Sequence, residues 1–300
     1  MTAGQCATVA SILKAVVGSL GWSLHPSSEL ATMIREVGWM GSFPAEAMQP
    51  EAAVAVNKQR GLEAFVLYEQ AKRLAIALGW SATITGFRER AGLLRGRLDR
   101  LKTQDGPTQD FLFEVEIAYR LFRHGLPVAL DEPDVIATLE DDVKLAVACK
   151  RPRSLAGVAQ AVRRGSRQIR ARGYPGFIAV GMEAILHRSG DPSRPTVLYL
   201  VSDADELQVW AEGFFASAAT SAVHELTRAA GGLVAGVLLC GVITGWSQHP
   251  SANIFRWFWL AIDRPTSEGL VGRVGNLLFG QESRLGLAAR PISPSRDADS

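Results

Sequence analysis

The segment 143-VKLAVACK-150 decides the fold that the sequence predicts. Its larger apolar residues alternate with alanines and lysines, which is the period-two pattern of a β-strand. One side of the strand carries Val143, Leu145, Val147 and Cys149, and the other carries Lys144, Ala146, Ala148 and Lys150. The first side is predicted to face a core. The small residues of the second side leave room above the sheet, either for a ligand or for a helix that packs there.

Alternating helix and strand patterns surround this strand. Helices are predicted at residues 110–124, 155–172 and 203–230, and strands at 127–130, 134–138, 177–181, 196–201, 234–243 and 254–262. Such alternation is typical of a mixed sheet flanked by helices. An α/β fold is therefore predicted for this part of the chain.

The first hundred residues have a helical pattern instead. Helices are predicted at residues 7–20, 27–37, 61–78 and 85–102, and the breaker QDGPT follows at 104–108. We expect an all-helical N-terminal region over residues 1–105, an α/β domain over 106–265 and a C-terminal extension over 266–300. The end of the extension is rich in Ser, Arg, Asp and Pro, so disorder is predicted after residue 281.

The overall composition is that of an ordinary globular protein. The 300 residues are 47% hydrophobic and carry a net charge of +2, so affinity for nucleic acid would need local clustering of basic residues. The three cysteines are sparse and lie in apolar surroundings, which favours reduced thiols in the cytoplasm over a disulfide framework. The sequence shows no nucleotide-binding glycine loop, HExxH or CxxC motif.

One uncharged segment raises the question of a membrane. Residues 229–246 (AAGGLVAGVLLCGVITGW) contain no charge, and their length is close to the lower limit of about 17 for a spanning helix. The segment also contains five glycines and many residues typical of strands, which favours a buried β-strand. We expect no membrane contact. A structural or membrane-associated protein is the alternative that this segment leaves open.

An acid and a lysine are predicted to meet at one edge of the sheet. Asp134 begins one strand and Lys150 ends its neighbour. A carboxylate that holds a divalent metal, beside a lysine that stabilises phosphoryl charge, would form a workable phosphodiester site. In the preceding helix Glu114 lies at the edge of the apolar face and would need a partner or a metal. Glu116 lies on the opposite side, where an i,i+4 pair with Arg120 is interpreted as surface decoration.

The next predicted helix is strongly basic. Residues 151–173 contain seven arginines and no acid. Helical spacing places Arg163, Arg167 and Arg170 in one stripe, which is typical of contact with a phosphate backbone. A solvated helix face is the alternative. The predicted nucleic-acid-binding residues are Arg151, Arg153, Arg163, Arg167, Arg170 and Gln168.

These motifs, in this order, resemble the PD-(D/E)xK nucleases, which have a restriction-endonuclease-like fold. The resemblance covers residues 109–181 and is greatest to the Mrr-like and Holliday-junction-resolvase-like branches. The matching residues are Phe113, Glu114, Ile117, Ala118, Leu121 and Gly125 of the opening helix, then Pro133-Asp134, then Ala148-Cys149-Lys150. The family has Glu or Asp at the position of Ala148.

The resemblance implies a role for each matching residue. Asp134 would be the central metal ligand, the main-chain carbonyl of Cys149 a second ligand, and Lys150 the catalytic lysine. Glu114 matches the helix acid that completes the site, and Gln168 matches a helix glutamine of several branches. Because Ala148 replaces an acid, the affinity for metal is the weak point of this assignment.

The resulting hypothesis is a nuclease-like protein that uses Mg²⁺ or Mn²⁺ to hydrolyse phosphodiester bonds of DNA, in defence or repair. DNA is the expected partner, and a homodimer is compatible with the sequence. The alternative is a catalytically inactive protein of the same fold that binds nucleic acid or a partner protein, and Ala148 is its motivation.

Overall fold

The computed structural model describes residues 2–42, 50–81, 83–95, 106–139, 142–188, 198–201, 204–228, 232–248, 251–280 and 284–285. The N-terminal helices are α1 (Ala3–Ser19), α2 (Glu29–Met40), α3 (Pro50–Ser81) and α4 (Phe87–Arg90), and α4 continues as a 3-10 turn (Ala91–Arg95). Thr2 and Ser28 cap α1 and α2 by accepting backbone N–H bonds, which satisfies donors that a helix start leaves unpaired.

The helix predicted at residues 85–102 is confirmed in part: residues 87–95 are helical, as α4 and then a 3-10 turn, whereas residues 85 and 86 are not. Gly86 adopts a left-handed conformation (φ +83°) immediately before α4, and the chain tightens from α-helix to 3-10 at Ala91. Residues 96–102, and residues 104–105 of the predicted breaker, lie outside the described residues.

The α/β part begins at Pro107. Its elements are α5 (Pro107–Arg123), β1 (Val128–Ala129), β2 (Val135–Thr138), β3 (Lys144–Lys150), α6 (Leu155–Arg172), β4 (Gly176–Gly181), α7 (Glu183–Arg188), β5 (Leu198–Val201), α8 (Ala204–Arg228), β6 (Val234–Gln248), β7 (Ser251–Asp263) and α9 (Leu270–Phe279). The predicted α/β class and its mixed sheet are confirmed. The sequence did not predict α7 and α9.

The sheet joins a short antiparallel part to a parallel centre. Strands β1, β2 and β3 are antiparallel neighbours, whereas β4 and then β6 follow in parallel. Strand β7 runs antiparallel along one edge of β6, and β5 pairs in parallel with the second half of β6. Since β3 and β4 run in the same direction, their carboxyl ends lie together, and the longer β6 continues beyond them.

Two cores cover the two faces of the sheet. On the α5 side, Val147 and Cys149 of β3 pack with buried residues of α1, α2, α3 and α5. On the α6 side, Ala146 and Ala148 pack with Val158, Val162 and Ile169 of α6 and with apolar residues of α8. Of the two alternatives for the small residues of β3, the packed helix is therefore the one observed.

The uncharged segment that raised the membrane question forms most of β6. Along the described residues, no helix has both the length and the apolar character needed to cross a bilayer. After β7, Asp263 accepts hydrogen bonds from the backbone N–H groups of Val271 (2.7 Å) and Gly272 (3.0 Å), which fixes the start of α9. The disorder predicted after residue 281 concerns residues that, apart from 284–285, lie outside the described ones.

Candidate functional site

Strand pairing brings Asp134 and Lys150 together. Residues 135 and 147 are partners in the antiparallel pair of β2 and β3, so Asp134 lies beside the last residues of β3. Lys150 Nζ is 2.6 Å from Asp134 Oδ2 and also donates to the main-chain oxygen of Cys149 at 2.8 Å. The backbone N–H of Cys149 donates to the same Asp134 oxygen at 2.8 Å. The acid and the amine thus form one hydrogen-bonded unit at the carboxyl end of β3.

The electrostatics of Asp134 reflect its position inside the protein. Burial raises the pKa of this carboxyl, and the Lys150 ammonium together with the hydrogen bond from the Cys149 backbone opposes that shift. A partly buried carboxylate is stable here because its charge is paired and its oxygen accepts two hydrogen bonds.

Glu114 approaches the same end of the sheet from α5. Its side chain is only 8% exposed, and Arg90 Nη2 of α4 lies 2.6 Å from its Oε2 atom. Burial and the negative charge of Asp134 raise the pKa of Glu114 to about 8, against the opposing effects of Arg90 and Lys150. Glu114 is therefore largely protonated at neutral pH, although an arginine is its neighbour.

The candidate metal ligands fit Mg²⁺ or Mn²⁺ in chemical kind. The carboxylates of Asp134 and Glu114 and the main-chain oxygen of Cys149 are the oxygen donors that these ions prefer. Two of these groups already accept hydrogen bonds from Lys150 Nζ, which supplies a positive charge between them. Among the described residues, no three His, Cys, Asp or Glu side chains form a group arranged to hold a metal. A metal would therefore have to compete with the lysine ammonium for these oxygens.

A helix closes the space over Ala148. Ala148 is fully buried, and Gly165 of α6 packs directly over it and over Ile178 of β4. A Cβ atom added to Gly165 would lie only 2.9 Å from Ile178 Cγ2. A carboxylate at position 148 would therefore have to displace α6 or turn away from the face of the sheet.

The predicted DNA-binding arginines do not share one environment. Arg151 is held inward, with a side chain that is 5% exposed and an Nη1 atom 3.4 Å from Asp110 Oδ1. Arg163 forms a two-pronged contact with Glu225 of α8, at 3.0 and 2.7 Å. Hydrogen bonding to Arg163 lowers the pKa of Glu225. Acidic residues of other elements thus offset part of the positive charge of residues 151–173, a segment that contains no acidic residue.

The remaining residues of the predicted set differ in exposure. Arg153 and Arg167 are exposed, whereas Arg170 is partly buried. Gln168 donates weakly, at 3.4 Å, to Glu132 Oε2 and to the main-chain oxygen of Pro133, directly beside Asp134. The geometry thus brings Gln168 near the candidate site and places Arg153 and Arg167 at the surface.

A second charged cluster, which the sequence did not predict, lies inside the protein. The interpretation of Glu116 as surface decoration is wrong, because α3 covers that side of α5 and leaves the residue 6% exposed. Arg73 of α3 contacts Glu116 through two hydrogen bonds, at 2.5 and 2.6 Å, and contacts Glu183 of α7 at 2.9 Å. A helical wheel for α5 alone cannot reveal this, since the partner lies 43 residues away in the chain.

Aromatic stacking encloses the second cluster. Cζ of Arg73 lies 4.7 Å from the ring centre of Trp257, and Cζ of Arg120 lies 4.4 Å from it. Arg120 also donates to the main-chain oxygen of Leu278 at 2.8 Å. The neighbouring aromatic residues Phe258 and Trp259 are fully buried in the core.

No family model, curated protein or solved structure matches the chain. The resemblance to the PD-(D/E)xK nucleases thus remains an expectation from the sequence motifs.

Proposed function

We propose that the protein is a metal-dependent nuclease-like protein that hydrolyses phosphodiester bonds of DNA. The observation that carries the proposal is the convergence of three groups from separate elements: Asp134 from β2, Lys150 from β3 and Glu114 from α5. The contact of 2.6 Å between Lys150 Nζ and Asp134 Oδ2 is the most specific part of that convergence.

The architecture around the site supports a restriction-endonuclease-like fold. A helix (α5) precedes three antiparallel strands (β1 to β3), and a helix (α6) then leads to a strand (β4) parallel to β3. The candidate residues lie on the first helix and on the second and third strands of this unit. The three motifs thus follow the chain order of α5, β2 and β3, and these elements are neighbours in the fold.

Each residue has a role in the proposed hydrolysis. Asp134, Glu114 and the main-chain oxygen of Cys149 would hold Mg²⁺ or Mn²⁺. The bound metal would act as a Lewis acid toward a phosphoryl oxygen. Lys150 would release part of its present contact and donate to the charge that develops on the phosphoryl group. Water would add to phosphorus and release one proton to solvent, the bond from phosphorus to one sugar oxygen would break, and that oxygen would take up one proton.

The expected partner and location belong to the same proposal. Arg153 and Arg167 offer exposed positive charge near the site for a DNA backbone. The three cysteines are buried and unpaired, which supports a reducing compartment such as the cytoplasm. The homodimer rests on the sequence hypothesis alone.

Cleavage of plasmid and branched DNA in the presence of Mg²⁺ or Mn²⁺ tests the proposal. We expect the wild-type protein to cut the DNA and Lys150→Ala to lose most or all of this activity. Lys144→Ala is the matched control: Lys144 lies on the same strand, but contacts Thr138 Oγ1 (2.8 Å) at the other end. Absence of cutting by the wild type on a broad substrate panel, or equal loss in both variants, would contradict the proposal.

A catalytically inactive protein of the same fold is the second candidate. The packing of Gly165 over Ala148 favours it, because the usual third carboxylate has no place. The contacts of Lys150 with two candidate ligand oxygens favour it as well. Calorimetric titration with Mg²⁺ and Mn²⁺ separates the two functions. DNA binding that weakens with salt, without any metal binding, supports the inactive protein.

A further inference from the structure

Arg90 connects the N-terminal helices to the candidate site. It belongs to α4, outside the segment that resembles the nucleases, yet its Nη2 atom lies 2.6 Å from Glu114 Oε2. Its Cζ atom lies 4.7 Å from the ring centre of Phe111, one turn before Glu114 on α5. The guanidinium therefore stands between an aromatic ring and a carboxyl group of the site.

The fold holds α4 in this place through contacts that do not involve Arg90. Thr85 forms a parallel bridge with Ala129 of β1 and accepts a backbone hydrogen bond from Leu130 at 3.0 Å. Gly86 passes so close to the Leu130 carbonyl that a Cβ atom would lie 2.0 Å from its oxygen. Phe87 is fully buried, with its ring stacked 6.0 Å from that of Phe111. Arg90 is thus presented by a segment docked on the sheet edge.

We propose that Arg90 is a phosphate-binding residue that the N-terminal region contributes to this site. The inference rests on the DNA-binding part of the proposed function and does not require cleavage. A guanidinium has five N–H donors in a planar fork, so a contact through Nη2 leaves further donors for a second acceptor. The Arg90 side chain is 33% exposed, which gives an anion access to those donors.

The charges around the site agree with this role. Asp134 and Glu114 face Lys150 and Arg90, so two cations flank two acids at one end of the sheet. A DNA phosphate that approaches this end meets both cations, and it can accept from Arg90 while Arg90 still orients Glu114. Charge-assisted hydrogen bonds of arginine to phosphate are among the strongest that proteins form.

The test measures DNA affinity in EDTA, so that metal binding plays no part. The probe is a short DNA duplex, titrated at several salt concentrations with wild type, Arg90→Gln and Arg88→Gln. Arg88 is the matched control because it is an exposed arginine on the same short helix. We expect Arg90→Gln to weaken binding about tenfold at low salt and to reduce the slope of log K against log salt by about one. Arg88→Gln should have a clearly smaller effect on both quantities.

A second background separates direct contact from an effect through Glu114. In Glu114→Gln the group that Arg90 contacts cannot ionise at any pH, so removing the arginine cannot leave a buried carboxylate unpaired. We expect Arg90→Gln to weaken DNA binding in that background as well, and Arg90→Lys to restore part of the affinity. A loss seen only when Glu114 is intact would overturn the phosphate-binding role, as would equal effects of Arg90→Gln and Arg88→Gln. Wild-type protein without salt-sensitive DNA binding would overturn this inference together with the proposed function.

Discussion

Gly165 of α6 lies against Ala148 of β3: a Cβ atom on the glycine would be 3.3 Å from the alanine methyl group. The contact shows that position 148 is part of the packed interface between helix and sheet. It also explains why a side chain larger than alanine has no room there, since protein interiors are packed as densely as organic crystals.

An acid in place of Ala148 is expected to damage the protein. Ala148→Glu should lower the free energy of unfolding by about 3 kcal/mol, because the carboxyl must displace packed atoms and lose water. The loss should grow as the pH rises, since burial raises the pKa of the new carboxyl and the folded state then resists its ionisation. Denaturant unfolding at several pH values measures this. Ala148→Gln, which has a similar size and no charge, should show the packing loss without the pH dependence.

Glu114 predicts a pH dependence of stability in the wild type. Its folded-state pKa of about 8 lies above the ordinary value, so between about pH 4.5 and 8 the folded protein holds a proton that the unfolded chain releases. The contribution of this residue to stability is therefore complete below pH 4.5 and is lost as the pH rises through 8. Glu114→Gln should remove this loss, on the order of 1–3 kcal/mol between pH 5 and 8. If the free energy of unfolding changes with pH in the same way for wild type and Glu114→Gln, Glu114 is not the source of the pH dependence.

The buried cluster around Arg73 is expected to be important for stability. Arg73→Met leaves Glu116 and Glu183 with less charge compensation in a buried site, which should cost about 3–5 kcal/mol of unfolding free energy. Replacing all three residues together, with Arg73→Met, Glu116→Gln and Glu183→Gln, should recover much of that loss. Lys72→Ala is the control, because its pair with Glu69 is a surface contact and should contribute less than about 1 kcal/mol. Equal losses from Lys72→Ala and Arg73→Met would be inconsistent with the cluster.

Two arginines of the basic helix should differ in their importance for DNA. Arg163 is held by Glu225, whereas Arg167 is exposed and its side chain forms no ion pair among the described residues. Arg167→Ala should therefore weaken salt-sensitive DNA binding more than Arg163→Ala does, by about threefold to tenfold at low salt. Fluorescence anisotropy with a labelled duplex measures both. A larger loss in Arg163→Ala would show that the pair with Glu225 opens on binding. If both variants bind DNA as tightly as the wild type, this helix is not part of the interface.

Much of the α/β fold was accessible from the sequence because local patterns encode it. The helix predicted at residues 155–172 has the observed limits of α6, and the predicted strands coincide closely with β2, β3 and β4. The strand pattern of β3 consists of alternating residue types, and residue types can be read directly from the sequence. The helix predicted from residue 85 begins only at Phe87, because Gly86 docks against Leu130, which is a contact between distant segments.

The candidate site was accessible in part for the same reason. Asp134 and Lys150 could be placed at one sheet edge because strand pairing follows from strand order and length. The environment of Glu116 was out of reach, since its burial depends on α3, and a helical pattern does not say which distant element covers it. The neutralisation of Arg163 by Glu225 was hidden for the same reason.

By itself, the sequence determined the alternation of helices and strands and the chemical types gathered at the end of β3, because these follow from side chains close together in the chain. Only the tertiary structure decided that α6 closes the space over Ala148, that Arg73 pairs with two buried acids, and that Arg90 reaches Glu114. Those outcomes depend on packing between segments that are far apart in sequence. Burial determines the free-energy cost of each charged side chain, and only the assembled fold determines which partner lies close enough to offset that cost.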